Sequence, residues 1–308
     1  MATSTSTSTS TSTSKSVAEP ARRADSARPL PRRKGRGRER PNIPGGLGGF
    51  VWLIVIIAPV YYIIVTSLKT QADVYADGPL ALPAKPTLDN YVLVLQNDFF
   101  QYFLNSVIVT LVATALALAV SVLAAYPIVR SRGSFARGTM SIYLLGLAIP
   151  LQATIIPVYL LITKMGLYDT LWAIILPAAA FAIPISVLII VNFMRDIPAE
   201  LFESMRMDGA GDWRILRSLV LPLVQPALVT VGIYNALGVW NGFLFPLILT
   251  QSPQNRVLPL SLWTFQGQFS VNVPAILAAV VLSALPMLAA YIFGRRYLVA
   301  GLTAGFGK

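Results

Sequence analysis

Asp196–Pro226 reads DIPAELFESMRMDGAGDWRILRSLVLPLVQP, and it is the charge-dense segment between two long apolar runs. It holds five acids (Asp196, Glu200, Glu203, Asp208, Asp212) and three arginines (Arg206, Arg214, Arg217). Asp196 is suited to cap a helix whose first turn takes Pro198 and Glu200, since an N-terminal proline forfeits no bond and a carboxylate meets the positive end of the helix dipole. Asp208-Gly209 is a turn signal, because glycine tolerates positive φ. Asp212 is suited to cap a second helix through Ile215, Leu216 and Leu219 toward Pro222. The expected unit is a short helix, a bend and a second helix, lying beside a membrane.

Working outward, the flanks are apolar. A spanning helix needs ~20 apolar residues, and six segments qualify: about 48–67, 104–126, 140–163, 171–194, 225–249 and 274–293, none with Asp, Glu, Lys or Arg. Pro222 and Pro226 suggest a turn at the near end of the fifth, and 261–273 (SLWTFQGQFSVNV) reads as an interfacial loop. Mean hydropathy is +0.66 and 55% of residues are apolar, a membrane composition. The expected fold is all-α, a polytopic membrane protein of six transmembrane helices with a cytoplasmic loop at 196–222. There is no cysteine and no histidine, which excludes disulfides, thiol catalysis and histidine triads. No cluster of acids suggests a metal site.

Net charge is +11. Residues 1–46 carry ten of the Lys/Arg and three acids, so the basicity belongs largely to this tail and does not argue for a nucleic-acid partner. The tail alternates Ser and Thr over 3–14 and is rich in Arg, Pro and Gly beyond. It is expected to be disordered, to lack the pattern of a signal peptide, and either to touch anionic lipid headgroups or simply to fix orientation. The expected division is therefore 1–46 as tail and 47–308 as membrane domain. If the N-terminus is placed inside, twenty Lys/Arg fall on the inner side and four (Lys69, Lys85, Lys164, Arg256) outside; without the tail the ratio is still ten to four. Both termini and the 196–222 loop are expected to be cytoplasmic.

Glu203-Ser204-Met205, Asp208-Gly209-Ala210 and Leu219-Val220-Leu221-Pro222 together resemble the cytoplasmic signature of permease subunits in binding-protein-dependent ABC importers. That signature is E-A-A, then D-G, nine residues, then I-x-L-P. Ser204 and Met205 replace two alanines and Leu219 an isoleucine; size and polarity are roughly kept. In that family the loop is a coupling helix docking on an ATP-hydrolysing subunit. The resemblance implies coupling roles for Glu200, Glu203, Ser204, Met205, Asp208, Gly209, Ala210, Leu219, Leu221 and Pro222. An ordinary amphipathic loop between spans is the alternative. Pro86-Thr87-Leu88-Asp89-Asn90-Tyr91, Tyr102-Phe103-Leu104-Asn105-Ser106, Trp240-Asn241-Gly242-Phe243-Leu244-Phe245-Pro246 and Gly301-Leu302-Thr303-Ala304-Gly305 resemble the carbohydrate-uptake branch, the maltose-transporter type. That branch more often has an acid where Gly242 stands.

The resemblance implies a permease that moves a sugar or oligosaccharide by ATP-driven alternating access, with no catalytic residue and no cofactor of its own. It implies two ATPase subunits using ATP and Mg, a second permease subunit, an external solute-binding protein and surrounding lipid. The residues agree on two points. The spans carry no ionisable group for proton coupling. Gly305-Phe306-Gly307-Lys308 lacks the spacing and the final Ser/Thr of a P-loop, so energy has to arrive from another chain. A neutral pathway suits a neutral polar solute: Asn105, Gln152, Asn235, Trp240 and Asn241 are candidates to line it, and interhelical hydrogen bonding is the alternative for each. Phe265, Gln266, Gly267 and Gln268 are the expected tip of an outward loop that meets the binding protein, or a plain connector. Prolines at 59, 150, 157, 177, 184, 246 and 286 favour kinks. The rival readings are a permease for glycerol phosphate, polyamines or peptides, and a stand-alone secondary carrier.

Overall fold

The computed structural model describes residues 43–76, 78, 80–131, 133–266 and 271–306. Of residues 43, 44, 264 and 293–306 it describes the backbone alone. The chain divides between Val51 and Trp52. The first unit contributes the opening of helix α1 to the described residues, and everything below concerns the second. The expected tail falls mostly on residues 1–42, outside the described part.

Every named element is a helix. They are α1 (Ile43–Ser67), α2 (Gln71–Ala76), α3 (Asp89–Gln96), α4 (Phe99–Arg130), α5 (Ser134–Ala148), α6 (Ile155–Lys164), α7 (Leu171–Arg195), α8 (Ala199–Met207), α9 (Asp212–Ile215), α10 (Leu221–Trp240), α11 (Leu244–Leu249), α12 (Leu258–Ser261) and α13 (Val273–Phe306). Among the described residues five helices are long and apolar enough to cross a membrane, and the pair α5 and α6 makes a sixth span if counted together.

Three boundaries differ from expectation. First, α1 begins at Ile43, ahead of the expected start near residue 48. Second, the third span is no straight helix: α5 and the segment from Leu151 to Lys164 meet at 94°. The break falls on Ile149 and Pro150, both extended, because proline drives its predecessor out of the helical region. Pro59, Pro177, Pro184 and Pro286 lie inside uninterrupted helices; a sharp break accompanies Pro150 and none of these four. Third, the helix from Asp212 runs through Pro222 and Pro226 to Trp240, so the fifth span ends near 240 and not at 249. One wide turn, Leu216–Val220, allows this. Its π geometry opens the helix just where the Pro222 ring would press on the Ser218 carbonyl.

The core is built on α4 against α7. Ala113, Ala117 and Ser121 recur every four residues on the buried face of α4, and such small side chains let two backbones approach closely. The Ser121 hydroxyl donates to the Ile183 carbonyl across the contact at 3.4 Å. The Asn235 amide of α10 donates to the Ser186 hydroxyl of α7 at 2.8 Å. The run before α4 also has a structural use. Asn90, in α3, donates to the Ser67 and Lys69 carbonyls at 2.8 Å each, satisfying acceptors that the end of α1 leaves open. The Tyr91 and Ser67 hydroxyls share a 2.6 Å hydrogen bond.

Candidate functional site: the α8 loop and the opposite end of α4

The signature loop is a capped helix held down on one side. Its start differs from the sequence expectation. Asp196 is the C-cap residue of α7, and Pro198, with extended ψ, stands at the N-cap position of α8. Proline at this point removes a backbone donor at a helix start, where donors lack partners anyway. Asp212 likewise is the first residue of α9, with Gly211 before it.

The end of α8 follows the expected chemistry. Gly209 has φ of +76°. Its N–H donates to the Arg206 carbonyl at 3.0 Å, and the Ala210 N–H reaches back to the Met205 carbonyl at 2.9 Å. These two bonds make a Schellman cap. Ala210 then turns into a core with Phe202, Ile215, Leu216, Val220 and Val224, backed by Val122, Ala125 and Ile128 of α4 and by Ile190, Val191 and Met194 of α7. Met205, Leu219 and Leu221 pack on the edge of that core. Glu200, Glu203, Ser204, Asp208, Gly209 and Pro222 are exposed. The signature residues thus split in two: an apolar set that seats α8, and a polar set facing away from the protein.

Two exposed side chains escaped the sequence reading. Met207 is 88% exposed and Trp213 is 68% exposed. Both stand beside the acidic set; the available signal was that neither fits the apolar spacing that buries Phe202 and Ala210. A third group also escaped it. Asp212 Oδ1 accepts from the Tyr126 hydroxyl of α4 at 3.0 Å and from Arg206 Nη2 at 3.2 Å. The Arg130 guanidinium lies over the Phe202 ring, 4.6 Å from its centre.

The candidate pathway residues do not gather in one cleft. Asn105 is 2% exposed; its amide donates to the Gln254 and Arg256 carbonyls at 2.7 and 2.8 Å. Asn235 is 3% exposed and is bonded to Ser186 as described. Trp240 packs edge-on against Phe103 at 6.0 Å, among Tyr102 and Leu258. These three serve contacts between helices and loops. Gln152 and Asn241 are exposed, and Asn241 donates to the Leu237 carbonyl of its own helix at 2.8 Å. Of the expected loop tip, Phe265 packs beside Val94, Ala278 and Ala279, and Gln266 is exposed and bridges to Val271. Gly267 and Gln268 lie outside the described residues.

The end of α4 opposite α8 is ordered by Asp169, which the sequence reading did not single out. It occupies the left-handed region, φ 59°. Its carboxylate accepts from the Gln251 and Ser252 N–H groups at 2.9 and 3.0 Å, and also from the Ser252 hydroxyl. Asn255 donates to its carbonyl at 2.6 Å. Desolvation favours the neutral acid, but the bonds from Ser252, Gln251 and Asn255 outweigh it and hold the carboxyl at about 2, below its usual 3.8. With Asn105 below and the Ser106 hydroxyl accepting from the Leu258 N–H at 2.8 Å, the stretch 250–258 is fastened to α4 and to the start of α7.

Residues 117–300 match the sequence pattern described as the binding-protein-dependent transport system inner membrane component. The chain belongs to that family. It is a multi-pass inner-membrane permease subunit of ABC importers, whose ATP-hydrolysing part is a separate subunit. This permease is 42% identical over 258 residues to a putative ABC transporter permease protein, ORF2, of Caldicellulosiruptor sp., covering 84% of this chain and 94% of that protein. It is 31% identical over 266 residues to the trehalose/maltose transport system permease protein MalG of Thermococcus litoralis, covering 84% and 94%. Among solved structures, a bacterial ABC transporter involved in alginate import superposes with a TM-score of 0.72 at 22% identity, covering 83% of this permease and 95% of that chain. At that identity the likeness is one of fold.

Proposed function

We propose that this permease imports a neutral sugar or oligosaccharide, and that α8 is the element pushed by its ATPase. Seated by Phe202 and Ala210 and capped at Gly209, α8 turns Glu200, Glu203, Ser204 and Asp208 outward as a rigid acidic face. That face is the observation that carries the reading. A helix buried on one side and free on the other transmits force, whereas a loose loop absorbs it. ATP and Mg bind the partner ATPase, two copies of it per importer. A sister permease of different sequence completes the pathway, and an external binding protein delivers the solute to the side of residues 250–258. The α8 loop and both termini are cytosolic.

The sugar assignment is supported by relatives named for trehalose/maltose, diacetylchitobiose and glucose uptake, and by spans without charge. Charged solutes such as phosphate esters or polyamines favour ionic partners along the route. The test has two arms. Glu203→Lys and Gly209→Pro are expected to abolish uptake in cells while the variants still insert and co-purify with the sister permease; normal uptake by both would remove the coupling role. Separately, the binding protein encoded beside this permease is screened against neutral sugars, phosphate esters, polyamines and peptides. A hit confined to the last three classes ends the sugar assignment and leaves the coupling role standing.

A further inference from the structure

An ion pair joins Arg206 to Asp212, and Arg130 lies over the Phe202 ring in a cation–π contact. Both fall on the same junction, where α8 and its elbow meet the end of α4. The chain joins α8 covalently to α7 on one side and, through α9, to α10 on the other. It does not join α8 to α4. That link is made by side chains: Val122, Ala125 and Ile128 share the core of Phe202 and Ala210, and two polar contacts fix its direction, since Tyr126 donates to Asp212, which also receives Arg206, and Arg130 covers the ring that seats α8. Arg130 Nε is buried with no hydrogen-bond partner, so the guanidinium faces the ring in place of a conventional acceptor. A cation over a ring face gains strength when it is shielded from water.

The other end of α4 is fastened as well. Twenty-one positions before Tyr126, about 32 Å along the axis at ~1.5 Å per residue, Asn105 grips the Gln254 and Arg256 carbonyls and Ser106 receives the Leu258 N–H. One continuous helix therefore has α8 tied to one end and the 250–258 stretch tied to the other.

We infer that Tyr126 and Arg130 are positioning residues that latch α8 to α4, and that α4 acts as a push-rod carrying the ATPase-driven movement of α8 to the 250–258 stretch on the opposite face. This rests on the coupling role proposed above for α8. Without the latch, α8 keeps only its apolar packing against Val122, Ala125 and Ile128 of α4, and the far stretch loses its nucleotide response.

The permease has no cysteine, so single probes can be placed without background. Ser204→Cys reports on α8 and Gln254→Cys on the far stretch, both positions being exposed. In the assembled importer, in lipid nanodiscs, the maleimide labelling rate at each probe is measured with and without ATP and vanadate. With the latch intact, both rates are expected to change on nucleotide trapping. In the Tyr126→Phe, Arg130→Met background the response at 204 is expected to remain and that at 254 to be lost. Restoring a cation with Tyr126 intact and Arg130→Lys is expected to bring most of it back, which a packing role alone would not require. Persistence of the 254 response in the double variant overturns the push-rod, and rescue by Arg130→Met as good as by Arg130→Lys overturns the role of the charge. Silence at both probes with the latch intact, in an assembly that contains the ATPase, counts against the coupling role of α8 itself and is thereby told apart.

Discussion

At Gly209 the backbone demands the residue. Its φ is +76° and nothing lies within 4 Å of the place a Cβ would occupy, so the penalty of substitution is conformational and free of steric clash. A left-handed residue other than glycine costs about 1–2 kcal/mol, least for Asn and Asp. The expected order of thermal stability in detergent is Gly, then Gly209→Asn, then Gly209→Ala, then Gly209→Val; an unchanged midpoint for Gly209→Val would show that the cap opens at no cost. Asp169 gives a prediction in pH. Its carboxyl is lowered to about 2 from 3.8. The stabilisation it contributes is complete above about 3.8 and is lost as pH falls from there through 2. Asp169→Asn removes the charged acceptor, so protection of the Gln251 and Ser252 amides against exchange, taken relative to the unstructured rate at the same pH, is expected to fall several-fold at neutral pH, and the further loss of protection expected below about pH 3.8 with Asp169 in place is expected to be absent. Gly209 was legible in the sequence because Asp-Gly is a turn signal wherever it occurs. Asp169 was not, because its partners lie more than eighty positions away and no local pattern announces them.

At the scale of elements, the seating of α8 depends on Phe202. Truncating a buried phenylalanine costs roughly 3–5 kcal/mol, enough to detach a nine-residue helix from its neighbours. With a probe at Ala210→Cys, buried in the same core, Phe202→Ala is expected to raise the maleimide labelling rate at least tenfold; an unchanged rate would mean that α8 is held by its chain connections alone. Between two other helices, α5 approaches α7 so closely that a Cβ at Gly146 would stand 3.1 Å from Pro184 Cγ. Gly146→Leu is expected to separate these helices and lower the yield of assembled importer, as overpacking does at ~1–3 kcal/mol per site. The sequence announced the existence of each span through its apolar length. It named Pro150 as one of seven kink sites without setting it apart from the rest, and it placed a turn at Pro222 where the helix continues, because Pro150 and Pro222 have the same local chemistry and opposite outcomes. Pro222 is accommodated by a widened turn that arises from packing of Leu216 and Val220 into the core, and composition does not encode that.

At the scale of the molecule, the arginine and lysine distribution of ten to four favours the proposed cytosolic placement of α8, and that placement can be tested directly. A probe at Ser204→Cys is expected to react with an impermeant maleimide in inverted membrane vesicles and not in intact spheroplasts, and the reverse result would turn the permease over. The family was legible because its signature is local and the cap at Gly209 requires that spacing. The substrate route was not. Asn105, Asn235 and Trp240 look alike in sequence to residues that line a channel, and burial alone shows them spent on joining helices and loops. The function proposed above requires surfaces from a sister chain to close the path.

Helix α1 makes that dependence concrete. Leu53, Ile54, Val55, Ile56, Ile57, Val60 and Ile64 are each about half open to the surroundings, and burial begins only at Val65, Thr66 and Ser67. It is held only toward its end, where the Tyr61 hydroxyl donates to the Leu80 carbonyl and Tyr91 and Asn90 bond to the final turn. A subunit synthesised without companions therefore offers membrane proteases a long, unclaimed handle, and its lifetime in the cell should lengthen when the genes for the remaining subunits are expressed alongside it.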